Sequence, residues 1–557
     1  MRQTQPNTSF RFRRHDTIGN PSAESDEQFL SACFVDTGAL AILRDCADQR
    51  GIVLGRTGVG KTALLTTLTA REDHVVAINP HDLALSYISS STILRFFEGL
   101  DIRMDPFYRF LWRHVFVVEI LKAHLGLESE EQKARLLDDL RYRILRKKSY
   151  RDAFEYLNEY GTNFLVSTEE RITDLTRKVE TDLKASADLG LHGLINLGAE
   201  GARRLSEEQK YEVKQRGFEI INKAQNTMLS LLFSALDEDI LTDRAKRYYI
   251  VIDRLDEDWV EDAMRYRLIR ALIEIMRDFN SKVGQAKIVV ALRADLFDRV
   301  LRATSDSGFQ GEKYQGLCLS VTWQKPQLQD VLNARITELV RHQYAPQQPV
   351  TYRDVLPALV GKQRGREQPI DYILDRTLLR PRDVIAFFND CMAKAEGEPV
   401  IQAPKMREAE VPYSRARLRS LADEWSVHYP HLHALCDVLK GRPQSFKLGD
   451  LTDASLDDLC LELIDVLDGH RSAPGSGEDR EVLYAYYNNA IDAPTLRSTL
   501  ARIYYRVGIV GLKVETYQRV SWAYLHDAEV TEADVNDQTT VHVHKMVWRA
   551  LGIVTSS

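Results

Sequence analysis

The sequence lacks the features that would assign it to a disulfide-rich, zinc-binding or membrane class. Its six cysteines include no C-x-x-C pair, and their spacing suits neither a zinc site nor a disulfide framework. No apolar run approaches the about 20 residues of a membrane-spanning helix. The polar segment Met1–Arg14 does not resemble a secretory signal. We therefore expect a soluble, cytoplasmic protein with reduced thiols and no membrane partner.

An excess of positive charge is also missing. The 74 lysine and arginine residues are outnumbered by 81 aspartate and glutamate residues, and the formal net charge is −7. This balance argues against non-specific nucleic-acid binding by the whole molecule, although a local basic patch is compatible with it. With 44% hydrophobic and 28% charged residues, the 557-residue chain is typical of a globular protein of several domains.

A glycine-rich segment follows the first buried apolar run, Gly51–Leu54, which predicts a strand. Lys61–Thr69 predicts a helix directly after it, so the segment has the context of a phosphate-binding P-loop. In that motif, backbone N–H groups surround a phosphate, Lys61 reaches the β- and γ-phosphates, and Thr62 ligates magnesium. We expect ATP or GTP to bind with Mg²⁺. The residues that satisfy the pattern G-x-x-x-x-G-K-[ST] are Gly55, Arg56, Thr57, Gly58, Val59, Gly60, Lys61 and Thr62.

Val75–Ile78 predicts a second buried strand, and the next predicted strand, Tyr248–Ile252, ends at Asp253. In a P-loop protein this carboxylate holds the magnesium ion through water. Asp256 and Glu257 stand three and four residues further on, within reach of a water in line with the γ-phosphate, and either one could polarise it. The alternative is that this acidic run caps and solvates the start of a helix.

The order Asp-x-Leu-Asp-Glu from Asp253 to Glu257 resembles the Walker B signature of STAND ATPases, including NACHT domains. It is also similar to the Asp-Asp-Leu-Asp pattern of KAP ATPases. Arg254 departs from both, because the second position is usually small or acidic. The resemblance implies an AAA+-like ATPase with ATP as its nucleotide, and it covers about residues 30–80 and 245–400.

The same resemblance implies roles for several arginines. Arg293 ends the predicted strand Lys287–Arg293, where STAND ATPases place an arginine that senses the γ-phosphate. Arg382 follows Pro381 in a motif similar to the one that opens the lid helix of KAP ATPases, with Arg380 as the second candidate. A strand-end arginine and a proline at a helix start are also ordinary structural features. Arg299 or Arg302 could act across a subunit boundary.

We expect an α/β protein with a P-loop NTPase core, a parallel sheet, a long helical insertion, a helical lid and a winged-helix-like C-terminal domain. The insertion is either a structural subdomain or a partner-binding element, with a glycine-containing tip near residues 190–201. Pro404 and Pro412 predict a linker. The expected segments are a flexible arm over 1–28, core over 29–89, insertion over 90–245, core over 246–320, lid over 321–403 and C-terminal domain over 411–557.

The C-terminal segment predicts a helix, from Leu496, that leads into a small hairpin. A winged helix is common in DNA binding, but the fold alone does not fix function. Residues 411–557 contain 15 lysine and arginine residues and 20 acidic residues, a difference of 15 − 20 = −5. This composition favours a protein-contacting winged helix over a DNA-reading one. His542 and His544 alternate on a strand and could share a metal, although ordinary packing is favoured.

The favoured function is an ATP-hydrolysing switch or assembly ATPase that acts on a protein partner. The resemblance implies a homo-oligomer, an effector encoded separately and a role in defence against phages or other genetic conflict. The alternative is a nucleic-acid-dependent motor or loader that binds DNA or RNA through the winged helix and the basic arm. A third reading is a degenerate P-loop protein that binds nucleotide and hardly turns it over.

Overall fold

The computed structural model divides the chain into two compact units, each with its own hydrophobic core. We call Asp36–Arg56 with Lys61–Thr322 the sheet unit. Met1–Val35, Thr57–Gly60 and Trp323–Ser557 form the helical unit. The residues that the structure describes are 10–83, 91–100, 104–125, single positions between 173 and 184, 197–222, 233, 236–257, 259–303, 312–344, 349–361, 366–463, 478–515, 517–525 and 530–555.

The sheet unit is built on five parallel strands, which lie in the order β2-β3-β4-β1-β5. All of β3 is buried, and so is β4 up to its last residue, as expected for central strands of a sheet covered on both faces. The predicted α/β class with a parallel sheet is therefore confirmed. The strands are β1 (Ile52–Gly55), β2 (Val75–Ile78), β3 (Tyr248–Ile252), β4 (Ala286–Arg293) and β5 (Cys318–Ser320).

Helices make up most of the remaining described structure, and none of those described has the combined length and apolar character needed to cross a membrane. They are α1 (Glu27–Cys33), α2 (Ala39–Arg44), α3 (Lys61–Arg71), α4 (Thr92–Gly99), α5 (Asp105–Leu125), α6 (Ala199–Arg203), α7 (Glu207–Asn222), α8 (Asp262–Lys282), α9 (Ala294–Ala303), α10 (Glu312–Gln315), α11 (Lys325–Tyr344), α12 (Tyr352–Val355), α13 (Pro369–Leu374), α14 (Pro381–Lys394), α15 (Ala403–Glu424), α16 (Leu432–Leu435), α17 (Asp453–Glu462), α18 (Glu478–Tyr487), α19 (Ala493–Val507) and α20 (Trp548–Leu551).

The region predicted as a helical insertion, residues 90–245, contributes α4 to α7 to the described structure. Helix α5 packs on α8 of the core, where Trp112 Nε1 donates to the Leu268 carbonyl over 2.9 Å. This part of the region therefore helps to close the core of the sheet unit. Much of the predicted insertion, and its predicted tip up to residue 196, lies outside the described residues.

The N-terminal segment is folded from residue 10 onwards, which corrects the expectation of a flexible arm over residues 1–28. Phe10 and Phe12 are each 3% exposed and belong to the core of the helical unit. The backbone of Phe12 donates to the Glu398 carbonyl over 3.0 Å and accepts from the Gly397 amide over 2.8 Å. Aromatic residues alternate with exposed arginines here, so an extended backbone buries one face and solvates the other.

The linker expected at Pro404 and Pro412 is instead part of a continuous helix, α15. Pro404 lies in the first turn, where its missing N–H costs nothing. Pro412 lies inside the helix, which buried side chains such as Met406 and Tyr413 anchor in the core. The predicted lid (321–403) and C-terminal domain (411–557) therefore belong to one compact unit.

The C-terminal part of the helical unit contains an antiparallel sheet of three strands in the order β6-β8-β7. Helix α19 leads directly into β7, and Leu512 of that strand also bridges to Ser521. The predicted helix and the strand after it are therefore present, whereas the predicted return strand Val520–Leu525 is a single bridge at Ser521 followed by a 3-10 helix, Ala523–Leu525. The predicted loop at residues 472–477 lies outside the described residues. The strands are β6 (Ser445–Lys447), β7 (Val510–Lys513) and β8 (Thr540–Val543).

Candidate functional site

The carboxyl ends of β1, β3 and β4 lie along one edge of the parallel sheet. Gly55 at the end of β1 is in register with Arg293 at the end of β4, and Ile252 of β3 is in register with Val290. Strand β2 follows β1 in the chain and β5 follows β4, and these two strands lie on opposite sides of the neighbouring pair β4 and β1. Ligands of open parallel sheets bind outside the carboxyl ends at such a reversal. The segments after these strands are therefore the candidate site.

Three residues predicted to act together meet at this edge. The Thr62 hydroxyl and the Lys61 ammonium both lie close enough to the Asp253 carboxylate to lower its pKa. Burial has the larger effect and raises the pKa of Asp253 overall. The Arg254 amide adds a hydrogen bond of 2.8 Å to Asp253 Oδ1. Hydroxyl and carboxylate oxygens are ligands that suit Mg²⁺.

Lys61 is the first residue of α3, and its side chain turns back over the preceding loop. Nζ donates to the Gly55 carbonyl over 3.0 Å and to the Arg56 carbonyl over 3.2 Å. The first amides of a helix have no acceptor within that helix. The ammonium group is therefore held beside the positive end of α3, where an anion is favoured.

The loop between β1 and α3 depends on glycine at two positions. Gly58 has φ of 80° and Gly60 has φ of 97°, in the left-handed region that side chains disfavour. A Cβ atom on Gly58 would also lie 2.9 Å from Arg382 Cδ, which is too close for two carbon atoms. The pattern glycines at these positions are therefore required by backbone geometry and by close packing.

Three successive carbonyls of this loop, at residues 57–59 of the helical unit, accept donors from other residues of the same unit. Arg380 Nη1 donates to the Thr57 carbonyl over 2.9 Å, and Trp323 Nε1 donates to the Val59 carbonyl over 2.7 Å. The Arg382 amide makes a longer contact of 3.5 Å with the Gly58 carbonyl. Because a trans peptide places C=O and the next N–H on opposite sides, the amides of the following residues point away from these donors.

That side of the loop has unused hydrogen-bonding groups. The amides of Gly58 and Gly60 donate no hydrogen bond within the described chain. The hydroxyl oxygen of Thr57 is also buried without a hydrogen-bond partner among the described residues. Buried polar groups are normally satisfied, and a buried group without a partner is therefore a candidate contact for a ligand.

The two arginines considered for the lid differ in what they contact. Arg380 is 3% exposed and is engaged by Asp383, Glu424 and the Thr57 carbonyl. Arg382 is half-buried, and its Nε donates to the Pro21 carbonyl over 3.4 Å. Its two Nη atoms contact no acceptor in the described chain. The guanidinium group available for a ligand is therefore that of Arg382.

Asp256 and Glu257 are both exposed, but they face different partners. The Asp256 carboxylate lies 3.9 Å from Arg293 Nε, and its charge raises the pKa of Asp253. Glu257 Oε2 lies 3.1 Å from His81 Nε2, and its other oxygen lies 3.8 Å from Arg254 Nε. His81 was not singled out from the sequence, because it lies in a short turn after β2 and matches no motif.

Arg293 is held by a neighbour in its own unit. Nε and Nη2 donate to the two carboxylate oxygens of Asp295 over 2.9 and 3.0 Å. Arg299 donates to the same carboxylate over 3.4 Å and to the Tyr266 hydroxyl over 3.2 Å. Arg302, the other residue considered for action across a subunit boundary, is exposed at the end of α9.

The described residues contain no group of three or more His, Cys, Asp or Glu side chains that could hold a metal. His544 is instead a packing residue at the end of β8. Its Nδ1 accepts from the Met546 amide over 3.1 Å, and its Nε2 lies 3.2 Å from the Tyr524 hydroxyl. Burial lowers the pKa of His544 to about 4. His542 lies on β8 and shares no metal cluster with it.

Acidification is expected to destabilise the helical unit through His544. Its pKa is about 4 in the folded protein, against 6.5 for an ordinary histidine side chain. Between these pH values the unfolded chain binds the additional proton, so the free energy of unfolding falls as pH falls, by up to about 3 kcal/mol. The substitution His544→Asn should reduce this slope, because an asparagine side chain does not titrate in this range. Its amide oxygen can still accept from the Met546 amide, so the local contact is kept.

Urea unfolding at pH 7 and pH 5, followed by circular dichroism, measures this effect. The matched control is His433→Asn, which replaces an exposed histidine of the same unit. An equal loss of stability in wild type and His544→Asn between the two pH values would contradict the assignment.

Two comparisons with known proteins found similarity. Residues 326–422 match a family described as the FunZ-associated C-terminal helical domain. The chain is also similar to a putative transposon gamma-delta 80.3 kDa protein of Escherichia coli (strain K12). The two are 22% identical over 558 aligned residues, which cover 97% of this chain and 67% of that protein. No solved structure matches this chain. The matched range runs from α11 into α15, and it therefore crosses the boundary predicted between the lid and the C-terminal domain.

Proposed function

We propose that this chain binds ATP with Mg²⁺ and hydrolyses it, as a molecular switch or assembly ATPase that acts on a protein partner. The observation that carries the proposal is the meeting of Thr62, Lys61 and Asp253 at the carboxyl edge of the sheet. The sequence alone predicted these three residues as parts of one nucleotide site, and Asp253 is far from the other two along the chain.

The loop fits a phosphate group. The amides of Gly58 and Gly60 have no acceptor in the described chain, and phosphate oxygens are strong acceptors. A side chain at Gly58 would clash with Arg382, so the space beside this residue of the loop is closed to larger residues. Lys61 supplies the positive charge that a polyphosphate requires. Together these features support a P-loop.

The oxygens of Thr62 and Asp253 fit Mg²⁺, which prefers hard oxygen ligands and keeps several waters. When bound, the ion neutralises charge that develops on the phosphates during hydrolysis. Asp253 must be deprotonated for this role. Burial opposes the charged form, whereas the Thr62 hydroxyl, the Arg254 amide and Lys61 favour it. Asp253 is therefore set up to gain from a bound cation.

Hydrolysis requires a group that orients the attacking water, and the candidates are Asp256 and Glu257, two exposed carboxylates that follow β3. A carboxylate that accepts a proton from water in the transition state typically contributes 10²–10⁴-fold to the rate. Arg293 is the sensor candidate, and it must exchange part of its pairing with Asp295 to reach a phosphate. Arg382 offers unused N–H groups beside the loop.

The action on a partner rests on the arrangement of the helical unit. Thr57 and Val59 of the loop belong to this unit and accept from its Arg380 and Trp323, so a change in loop occupancy would be felt by its helices. We propose a homo-oligomer that acts on a separately encoded effector. The name of the similar Escherichia coli protein connects that protein with a transposon, which agrees with a role in genetic conflict. The resemblance to KAP and STAND ATPases remains a hypothesis, because the matched family has a different description.

A nucleic-acid-dependent motor is the second candidate, since helix α19 leads into a hairpin as a winged helix does. Two observations weaken it. Ten of the fifteen residues of α19 are buried, including Arg497, so little of this helix is free to enter a groove. Arg497 is also paired with Asp537 and Asp453. The acidic balance of residues 411–557 points the same way.

Steady-state phosphate release, measured with and without duplex DNA, single-stranded DNA and RNA, tests the proposal. We expect magnesium-dependent ATP hydrolysis that nucleic acid leaves nearly unchanged. Strong stimulation by nucleic acid, with affinity that falls steeply as salt rises, would favour the motor instead. Tight ATP binding without turnover would favour a degenerate site.

A further inference from the structure

We infer that Trp323 and Arg380 are positioning residues that set the amides of the glycine loop for phosphate, an inference that rests on the proposed nucleotide site. Trp323 holds the Val59 carbonyl at 2.7 Å, and Arg380 holds the Thr57 carbonyl at 2.9 Å. Each bond fixes one peptide plane, and a fixed carbonyl fixes the direction of the next amide. Contacts within the helical unit, to which residues 57–60 belong, therefore set the orientation of these loop peptides.

Arg380 is itself held firmly. Its Nε and Nη2 donate to Asp383 over 2.9 and 3.3 Å, and its Nη1 is shared between the Thr57 carbonyl and Glu424 at 3.0 Å. Asp383 is fully buried and also accepts from Arg417 over 3.1 Å. Burial opposes the charge of Asp383, but the two arginines outweigh it and keep the pKa of Asp383 below its usual value. A buried, satisfied network of this kind leaves the guanidinium group little freedom.

The backbone just before Arg380 is strained. Leu379 has φ of 49°, in the left-handed region that a bulky side chain disfavours. Such a conformation persists only where the surrounding structure determines it, and it is a sign of a functional constraint. Here it directs the chain from α13 into α14, so that Arg380 becomes the N-cap residue of α14 and reaches the loop.

The shared Nη1 atom gives the loop a connection to α15. Glu424 is the last residue of that helix, and its carboxylate accepts from the same guanidinium nitrogen that donates to the Thr57 carbonyl. Coupling between two sites is reciprocal. If this network sets the affinity of the loop for phosphate, a bound phosphate must stabilise the network by the same factor. The end of α15 is therefore the place where the helical unit senses occupancy.

The substitution Trp323→Phe tests the inference, because it removes one N–H donor and keeps an aromatic ring. The matched control is Trp548→Phe in the same unit. Trp548 is half-buried like Trp323, and its Nε1 donates to a backbone carbonyl, that of Val543, over 2.8 Å. We expect Trp323→Phe to raise KM and the Kd of a non-hydrolysable ATP analogue about five-fold, the usual effect of one lost hydrogen bond. In the control both should change by less than about two-fold.

Separate measurement of KM and kcat distinguishes an effect on the position of the loop from a loss of folded protein. Loss of folded protein lowers the apparent kcat and leaves KM unchanged, whereas a misplaced loop raises KM. A KM for Trp323→Phe within about two-fold of wild type, or an equal rise in both tryptophan variants, would overturn the inference and leave the proposed function intact. A wild-type protein that neither binds nor hydrolyses ATP would instead overturn the proposed function, and this inference with it.

Discussion

Replacing Lys61 with alanine is expected to lower the rate of ATP hydrolysis about 10²–10³-fold and to weaken ATP binding strongly. Its ammonium group is held over the loop by the Gly55 and Arg56 carbonyls, at the start of α3. A cation fixed there stabilises the negative charge of the phosphates without any rearrangement at the moment of reaction. The side chain also lowers the pKa of Asp253, so its removal weakens the magnesium site as well.

Isothermal titration with a non-hydrolysable ATP analogue and steady-state phosphate release measure the two effects separately. Lys282→Ala is the matched control, because that lysine ends α8 in the same unit and pairs with Asp278 at the surface. The control should hydrolyse ATP as wild type does. Hydrolysis by Lys61→Ala at the wild-type rate would show that the loop is not the nucleotide site.

The buried strands of the sheet could be predicted from the sequence because parallel strands covered on both faces are continuous apolar runs. Tyr248–Ile252 has the predicted bounds, and the runs at β1 and β4 were located to within two residues. Val75–Ile78 also has its predicted bounds, but it is an edge strand in which only Ile78 is buried. The short strand β5 gave no such signal, since it has three residues and lies at the sheet edge. A strand can therefore be predicted from the sequence only when its apolar run is long enough to be distinguished from other short apolar segments.

The errors have a different cause, which is tertiary packing that local composition does not report. Phe10 and Phe12 stand among arginines, and only the core of the helical unit shows why they are ordered. Pro412 is tolerated inside α15 because neighbouring residues of that helix are buried.

The residues of the candidate site fall into the same two groups, those that the sequence could predict and those that it could not. Its motif residues were predictable, since G-x-x-x-x-G-K-[ST] demands each residue for a stated contact. Contacts between residues far apart in the sequence match no motif, so they could not be predicted. Examples are Trp323 with the Val59 carbonyl and His81 with Glu257.

The choice between the two carboxylates after β3 leads to the second prediction, that Asp256 rather than Glu257 orients the attacking water. Asp256 acts electrostatically on Asp253 and lies near Arg293, so its charge belongs to the cluster at the carboxyl edge. Glu257 is directed to His81 and Arg254. Its backbone carbonyl also accepts from Arg265 over 2.8 Å, which makes it a structural part of the turn before α8.

Asp256→Asn should therefore reduce kcat about 10²–10⁴-fold while the Kd of a non-hydrolysable ATP analogue stays near the wild-type value. The amide has the shape of the carboxylate but cannot accept a proton from water. Glu257→Gln is the matched control and should cost less than about ten-fold, since its polar contact with His81 can persist. Single-turnover measurements remove any contribution from product release. If Glu257→Gln stops turnover and Asp256→Asn does not, the roles are reversed, and the turn that holds Glu257 against His81 must open before water is activated.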